Sequence, residues 1–197
     1  ADRIAPNDPT NLREMALVEE ALGDRKAAEH YLAGRVNRIR GPGAADYTEL
    51  ALAAAAAGDR TESEAALKSA AELPGGEDAA ALARAEISYM RGDYRGAETV
   101  LNDLLKRDPG NVRALSALGA VLAHGKHYAE ALAAYRKAAA LTPGDPTIHY
   151  KIAVVLYELG RGDDARAECA IAIAAAPGNP EARALLASIN QNVPASQ

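Results

Sequence analysis

The sequence of 197 residues contains no tryptophan and no phenylalanine, and aromatic residues make up only 4% of it. A core built without these large rings must use alanine, leucine, isoleucine and valine, which are among the residues most often buried. Alanine has the highest helix propensity, and its small side chain lets neighbouring helices approach closely. The composition therefore favours an all-α fold.

Cysteine is also scarce, and the chain has no excess of positive charge. Cys169 is the only cysteine, which excludes an internal disulfide and a zinc site made of several cysteines. The formal net charge is -5, so no excess of positive charge is present to bind nucleic acid or an anionic membrane surface. No run approaches the roughly 18 apolar residues of a membrane helix. We expect a soluble protein of the cytoplasm or periplasm, without nucleic acid or direct membrane insertion among its interactions.

Two sets of residues recur along the chain with one period. Alanine occupies positions 97, 131 and 165, and proline occupies positions 109, 143 and 177, so that each member follows the previous one by 34 residues. The clearest unit runs from Asn111 to Gly144. Its marked positions are Leu115, Leu118, Gly119, Leu122, Ala131, Tyr135, Ala138 and Pro143. A period of this length is typical of a repeat made of two helices.

Gly-Asp pairs mark the predicted turn inside several units, at 23–24, 58–59 and 92–93. Glycine can take the positive φ that ends a first helix, and the aspartate side chain can cap the second helix. Small residues on the first helices are expected to face small residues on the second helices and to bring the paired axes together. The pairs so predicted are Ala85 with Ala97, Gly119 with Ala131 and Ala153 with Ala165.

These residues resemble the tetratricopeptide repeat (TPR), with leucine in both the Trp and Tyr places of its pattern and Tyr135 in the Phe place. The resemblance implies a right-handed α-solenoid of stacked antiparallel helix pairs, a TPR superhelix. Five TPR-like pairs are expected over 9–178, a capping helix over 179–190 and a flexible tail over 191–197. Residues 1–8 resemble the end of a preceding repeat, which indicates a fragment of a longer TPR protein. A natural N-terminus that starts in a turn is the alternative.

The resemblance implies a non-catalytic scaffold, because TPR arrays hold peptides or helices in a concave groove lined by their first helices. The groove residues transferred by position are Leu52, Leu82, Glu86, Tyr89, Ala120, Tyr150, Val154 and Tyr157. Tyrosine and alanine in a groove favour an apolar peptide or an amphipathic helix as the partner. In the alternative interpretation, the tyrosines only pack between neighbouring first helices.

Residues suited to catalysis or metal binding are few, and we expect no catalytic residue, no cofactor and no metal. His124 and His127 lie three residues apart, but no third ligand accompanies them. Cys169 stands in the place of the second-helix aromatic residue and is expected to be buried and unreactive. His149 stands where the family often has a large first-helix residue, so it is expected to pack rather than to act as a base.

Three settings remain open for such a chain. The bias toward alanine, arginine and glycine favours a bacterial protein, so the main hypothesis is a scaffold within a bacterial assembly or secretion system. A substrate-recruiting or regulatory arm of a larger enzyme, such as a glycosyltransferase, is the alternative from another class. A periplasmic spacer in polysaccharide or pilus export is a third. An exposed apolar helix at either end could also make the isolated fragment dimerise.

Overall fold

The computed structural model describes residues 8–191 and is all-α over that range, without a strand. Eleven helices follow one another within these residues. They are α1 (Pro9–Leu22), α2 (Arg25–Val36), α3 (Ala44–Ala57), α4 (Arg60–Ala71), α5 (Gly76–Met90), α6 (Tyr94–Arg107), α7 (Val112–His124), α8 (Tyr128–Leu141), α9 (Pro146–Glu158), α10 (Gly162–Ala175) and α11 (Pro180–Gln191). The predicted repeat remnant at 1–8 and tail at 191–197 fall outside the described residues, apart from Asp8 and Gln191.

The chain divides into two compact units, one ending at Asp93 and one beginning at Tyr94. In the N-terminal unit, α1 pairs with α2 and α3 with α4, and α5 packs on α3 and α4. In the C-terminal unit, α7 pairs with α8 and α9 with α10, while α6 packs on α7 and α11 packs on α10 and α9. Each unit is a stack of antiparallel helix pairs, and the predicted all-α solenoid class is confirmed.

Local signals set the ends of the helices. Gly23 ends α1 with a φ of 84°, and Gly58 ends α3 with a φ of 87°, as the helix-ending role of glycine predicts. The Asp24 carboxylate accepts a hydrogen bond from the Ala27 amide over 3.0 Å, and the Asp59 carboxylate accepts one from the Glu62 amide over 2.9 Å. Both second helices of the N-terminal unit therefore begin at the caps expected from the sequence.

Each unit has a hydrophobic core of its own. In the N-terminal unit, the buried cluster is built around Leu32, Leu50, Leu67 and Ile87. In the C-terminal unit, the buried cluster is larger and extends from Leu115 to Ile189. Both cores consist mainly of aliphatic side chains and alanine, as a chain without phenylalanine and tryptophan requires.

Close helix approach in the C-terminal unit depends on small residues. Ala131, Ala153 and Ala165 are each 0% exposed and belong to one cluster. Gly119 lies against the ring of Tyr135, and a Cβ added to this glycine would come within 2.6 Å of that ring. A residue larger than glycine would not fit here without moving the Tyr135 ring, so α7 and α8 are closely packed at this point.

Candidate functional site

The first helices of the C-terminal unit carry a half-buried stripe. Tyr150, Val154 and Tyr157 lie at the spacing i, i+4, i+7 of α9, which places them on one face, and each is half-buried. The neighbouring positions Ile152, Ala153 and Leu156 face the core and are almost completely buried. On α7, Ala120 is likewise half-buried. Four of the eight predicted groove residues thus lie on the first helices of this unit, between the core and solvent. We call them the α7–α9 stripe.

A hydrogen bond joins α7 to α9. The Lys151 amine donates to Ser116 Oγ over 3.1 Å and lies 5.9 Å from the centroid of the Tyr135 ring. Burial lowers the pKa of Lys151, and the Asp145 carboxylate opposes that shift only in part. Lys151 is therefore a partly desolvated cation at the edge of the stripe, where an additional acceptor would stabilise it.

Tyr157 also takes part in packing. Its ring contacts the core cluster of the C-terminal unit, whereas Tyr150 and Val154 are not among the partly buried residues packed against that cluster. The interpretation that groove tyrosines pack between helices therefore describes Tyr157 in part. Among the three stripe residues of α9, Tyr150 and Val154 are therefore less committed to the core than Tyr157.

The N-terminal unit carries the other four predicted residues. Leu52 on α3 is half-buried and packs against the core cluster of this unit. On α5, Leu82 is half-buried, Glu86 is exposed and Tyr89 is 36% exposed. Because α3 and α5 are neighbours, Leu52 and Leu82 lie on adjacent first helices. Glu86 and Tyr89, toward the end of α5, are therefore more exposed than the residues of the α7–α9 stripe.

An ion pair joins the first helices α1 and α3. The Arg13 guanidinium donates to both carboxylate oxygens of Glu49, over 2.9 Å and 3.2 Å. This hydrogen bond raises the pKa of Arg13, and the Glu49 charge adds to the effect. Arg35 from α2 lies 3.6 Å from the same carboxylate. Glu49 thus connects three helices of the N-terminal unit.

The Arg13–Glu49 and Lys151–Ser116 bonds share a similar separation in sequence, and the sequence analysis predicted neither of them. Arg13 and Glu49 are separated by 36 residues, and Ser116 and Lys151 by 35 residues. A separation slightly longer than one repeat is the sequence signal for such bonds, because residues so spaced lie on the first helices of consecutive repeats. The pairs were missed because the repeat was recognised from similar residues at equivalent positions, whereas each of these pairs joins two different residue types.

Each unit also has a cleft between second helices, which the sequence analysis did not predict. In the C-terminal unit, a cleft of about 610 Å³ opens between α6 and α8, with α7 as its floor. Its apolar lining comprises Leu105, Leu115, Leu118 and Leu122, and Lys106 and Lys137 lie at its sides. In the N-terminal unit, a smaller cleft of about 150 Å³ lies between α2 and α4 over α3. The sequence feature that marks both clefts is a pair of adjacent alanines, whose small side chains leave space between consecutive second helices. The pairs occupy corresponding positions, 65–66 and 133–134.

His124, His127 and Cys169 have different surroundings. The His124 ring lies 4.3 Å from the Tyr94 ring between centroids, and His127 Nδ1 is 3.6 Å from Glu130. Cys169 is completely buried, and burial raises the pKa of its thiol, so this thiol is poorly disposed to act as a nucleophile. Within residues 8–191, no group of three or more His, Cys, Asp or Glu side chains is arranged to hold a metal ion. No helix of this range is long and apolar enough to cross a membrane.

Two models described as tetratricopeptide repeat match residues 82–146 and 122–189. Together they span more than half of the chain. The chain belongs to the tetratricopeptide repeat family. No curated protein matches this TPR chain.

Solved TPR structures share the fold. A thermophilic TPR protein from Thermus thermophilus matches with a TM-score of 0.70 and 21% identity, over 93% of this chain and 99% of that chain. The type III secretion chaperone SycD of Yersinia enterocolitica, in complex with a peptide of the translocator YopD, matches with a TM-score of 0.53 and 22% identity, over 56% of this chain and 90% of that chain. A mutant O-GlcNAc transferase of Thermobaculum terrenum matches with a TM-score of 0.54 and 27% identity, over 57% of this chain but only 22% of that chain.

Proposed function

We propose that this TPR chain is a non-catalytic protein–protein interaction scaffold, whose first-helix face binds an apolar peptide or an amphipathic helix. The α7–α9 stripe carries the proposal, because Tyr150, Val154 and Ala120 are half-buried on two first helices that the Lys151–Ser116 hydrogen bond joins. Tyrosine supplies a large contact area at low cost in side-chain entropy, together with a polar tip, and it is enriched among residues that dominate binding energy.

The shape of the stripe favours an elongated ligand. Three half-buried residues of α9 extend over two helical turns, so a ligand along them makes repeated contacts rather than filling one pocket. Lys151 and Ser116 give this apolar surface a polar edge. An apolar segment with a hydrogen-bond acceptor beside it matches both features. Leu52, Leu82, Glu86 and Tyr89 form the corresponding contact surface proposed for the N-terminal unit.

A bacterial assembly or secretion system is the proposed setting. The likeness to SycD, whose structure contains a translocator peptide, supports a chaperone-like or scaffolding role. The candidate from another class is a substrate-recruiting arm of a larger enzyme, which the likeness to part of an O-GlcNAc transferase supports. These two settings share the binding face and differ in whether the intact protein transfers a group to its bound partner.

Site-specific photocrosslinking tests the binding face. A photoreactive amino acid is placed at Ala120, within the stripe, or at Ala133, which lines the cleft between second helices. We expect a covalent adduct with a partner protein from Ala120 and not from Ala133, in extracts of the source organism. An adduct from Ala133 alone would move the interaction to the second helices, and adducts from neither position would contradict the proposal.

Affinity for the crosslinked segment tests the role of the tyrosines. We expect Tyr150→Ala together with Tyr157→Ala to weaken binding more than tenfold, because losing two aromatic contacts can cost about 2 kcal/mol or more. The measurement is a titration calorimetry or fluorescence anisotropy experiment with the synthetic segment.

Tyr128→Ala is the matched control, since Tyr128 also packs partly against the C-terminal core but lies on a second helix. Tyr150→Ala alone is a further variant that leaves the core contact of Tyr157 in place. Circular dichroism of each variant establishes that helicity is retained. Equal affinity of wild type and the double variant would refute the assignment of the stripe.

The enzyme alternative has its own assay. If the chain is a recruiting arm, deleting residues 8–191 from the intact protein should abolish group transfer to the protein partner while hydrolysis of the free donor, such as a sugar nucleotide, continues. A scaffold should show neither activity. The two outcomes separate the classes without depending on which residues line the groove.

A further inference from the structure

His149 occupies a core position that is apolar in the preceding repeat. Leu115 and Ala134 lie 34 residues before His149 and Glu168, and both are buried in the α7–α8 pair. In the α9–α10 pair the same two positions hold an imidazole and a carboxylate. The fold therefore does not require polar groups at this place, and their presence needs a separate explanation.

Both ring nitrogens of His149 face hydrogen-bond acceptors. Nδ1 lies 2.7 Å from Glu168 Oε2 on α10, and Nε2 lies 2.9 Å from the carbonyl oxygen of Pro143 in the connection after α8. A carbonyl oxygen and an ionised carboxylate can only accept, so both bonds form together when each nitrogen carries a proton. The geometry fits the imidazolium ion rather than either neutral tautomer.

We propose that His149, Glu168 and the Pro143 carbonyl form a proton-dependent latch. In the doubly protonated state the ring joins the connection after α8, helix α9 and helix α10. Loss of one proton removes one of the two donors, so one acceptor loses its hydrogen bond and the latch loosens. The His149 side chain is only 11% exposed, so water cannot readily replace the lost partner.

The surrounding charges act in the same direction. The connection after α8 presents the uncharged Pro143 carbonyl, α10 presents the Glu168 carboxylate, and the start of α9 presents the Asp145 carboxylate. Lys151, the nearby cation on α9, directs its amine to Ser116 on α7. Burial opposes protonation, but the hydrogen bonds to Glu168 and Pro143 and the two carboxylate charges outweigh it, so the pKa of His149 is raised.

The sign of the pH dependence follows from this raised pKa. In the unfolded chain, histidine titrates near its ordinary pKa of about 6.5. The latch therefore contributes its full stability below that pH and loses it as pH rises through the higher folded-state pKa. His149 should therefore make the protein more stable in mildly acidic than in mildly alkaline solution.

The first measurement is an NMR titration of the intact chain. The four histidines are His30, His124, His127 and His149. We expect the ring signals of His149 to titrate above the ordinary histidine pKa of about 6.5. We expect Glu168→Gln to lower the His149 pKa, because the amide removes the charge and leaves a group that can still hydrogen-bond. A neutral His149 at pH 6, or a pKa unchanged by Glu168→Gln, would overturn the latch.

The second measurement is thermal unfolding between pH 6 and pH 8.5. The matched variant His149→Leu with Glu168→Ala reproduces the apolar pair Leu115 and Ala134 of the preceding repeat, so it is expected to fold. We expect the melting temperature of wild type to fall with rising pH more than that of this variant. Equal pH dependence in both proteins would contradict the proposal. None of these readouts involves a ligand, so they test the latch separately from the proposed function.

Discussion

At the scale of single residues, Gly119 decides how closely α7 approaches α8. A Cβ at this position would lie 2.6 to 2.8 Å from three atoms of the Tyr135 ring. Tyr135 is only 3% exposed and belongs to the C-terminal core, so its ring cannot move aside freely. The glycine is needed for interhelix distance rather than for an unusual backbone conformation.

We predict that Gly119→Ala destabilises the protein. Overpacking a core costs about 1–3 kcal/mol, which exceeds the gain of roughly 0.5–1 kcal/mol from replacing glycine inside a helix. The midpoint of urea unfolding should therefore fall. The loss should be smaller in a Tyr135→Leu background, where the ring is absent.

Gly144→Ala serves as the control for this substitution. Its added Cβ meets no atom within 4 Å, so its effect should stay within about 0.5 kcal/mol. An unchanged or higher unfolding midpoint for Gly119→Ala would show that the α7–α8 pair can relax, which would contradict close packing between Gly119 and Tyr135.

At the scale of helices, the turn between α7 and α8 departs from its counterparts. Gly92 and Gly160 lie 34 residues before and after Lys126 and have φ values of 77° and 73°. Lys126 adopts the same left-handed conformation with a φ of 62°, and it is the single non-glycine residue with positive φ in residues 8–191. A side chain with a Cβ pays a conformational cost there that glycine avoids.

We predict that Lys126→Gly stabilises the protein. Relief of the left-handed strain, about 1–2 kcal/mol, outweighs the greater entropy of glycine in the unfolded chain, about 0.5–1 kcal/mol. The midpoint of urea unfolding should rise accordingly. Lys126→Ala retains the Cβ and removes only the charge, so it should give no comparable gain. Gly160→Ala introduces the same strain in the next repeat and should lower stability; the opposite order of these variants would refute the explanation.

At the scale of the molecule, each compact unit has its own core. The N-terminal cluster includes Leu50, and the C-terminal cluster includes Ile152. In repeat architectures, stability is approximately a sum of local terms and nearest-neighbour terms, so damage to one core should remain largely local.

Hydrogen exchange tests this local behaviour. We predict that Leu50→Ala accelerates amide exchange mainly in α1–α4 and that Ile152→Ala accelerates it mainly in α7–α10, each at a cost of about 2–5 kcal/mol to the affected core. Mass spectrometry of peptides from the intact chain provides the readout. Uniform acceleration over residues 8–191 in both variants would mean that the chain opens as one cooperative body.

The candidate site could be predicted only in part from the repeat pattern of the sequence. Position within the repeat was sufficient to place Tyr150 and Val154 on a half-buried face of α9, because helical periodicity is local. It was not sufficient to show that Tyr157 also packs against the core, since this depends on the depth of α9 in the stack. The clefts between second helices were missed for the same reason: alanine at 65–66 or 133–134 leaves space only once the neighbouring helix is in place.

Periodicity, propensity and capping residues were enough to predict the all-α class, the repeat length and the helix ends at 23–24 and 58–59. These features depend on interactions over a few residues, as in the Asp24 and Asp59 caps. The bonds of Glu49, Lys151 and His149 depend instead on how helices stack. Their partners lie 36, 35 and 19 residues away in sequence, at distances fixed by interhelix geometry. Only the tertiary structure shows that His149, which was expected to pack, has a hydrogen-bond acceptor at each of its ring nitrogens.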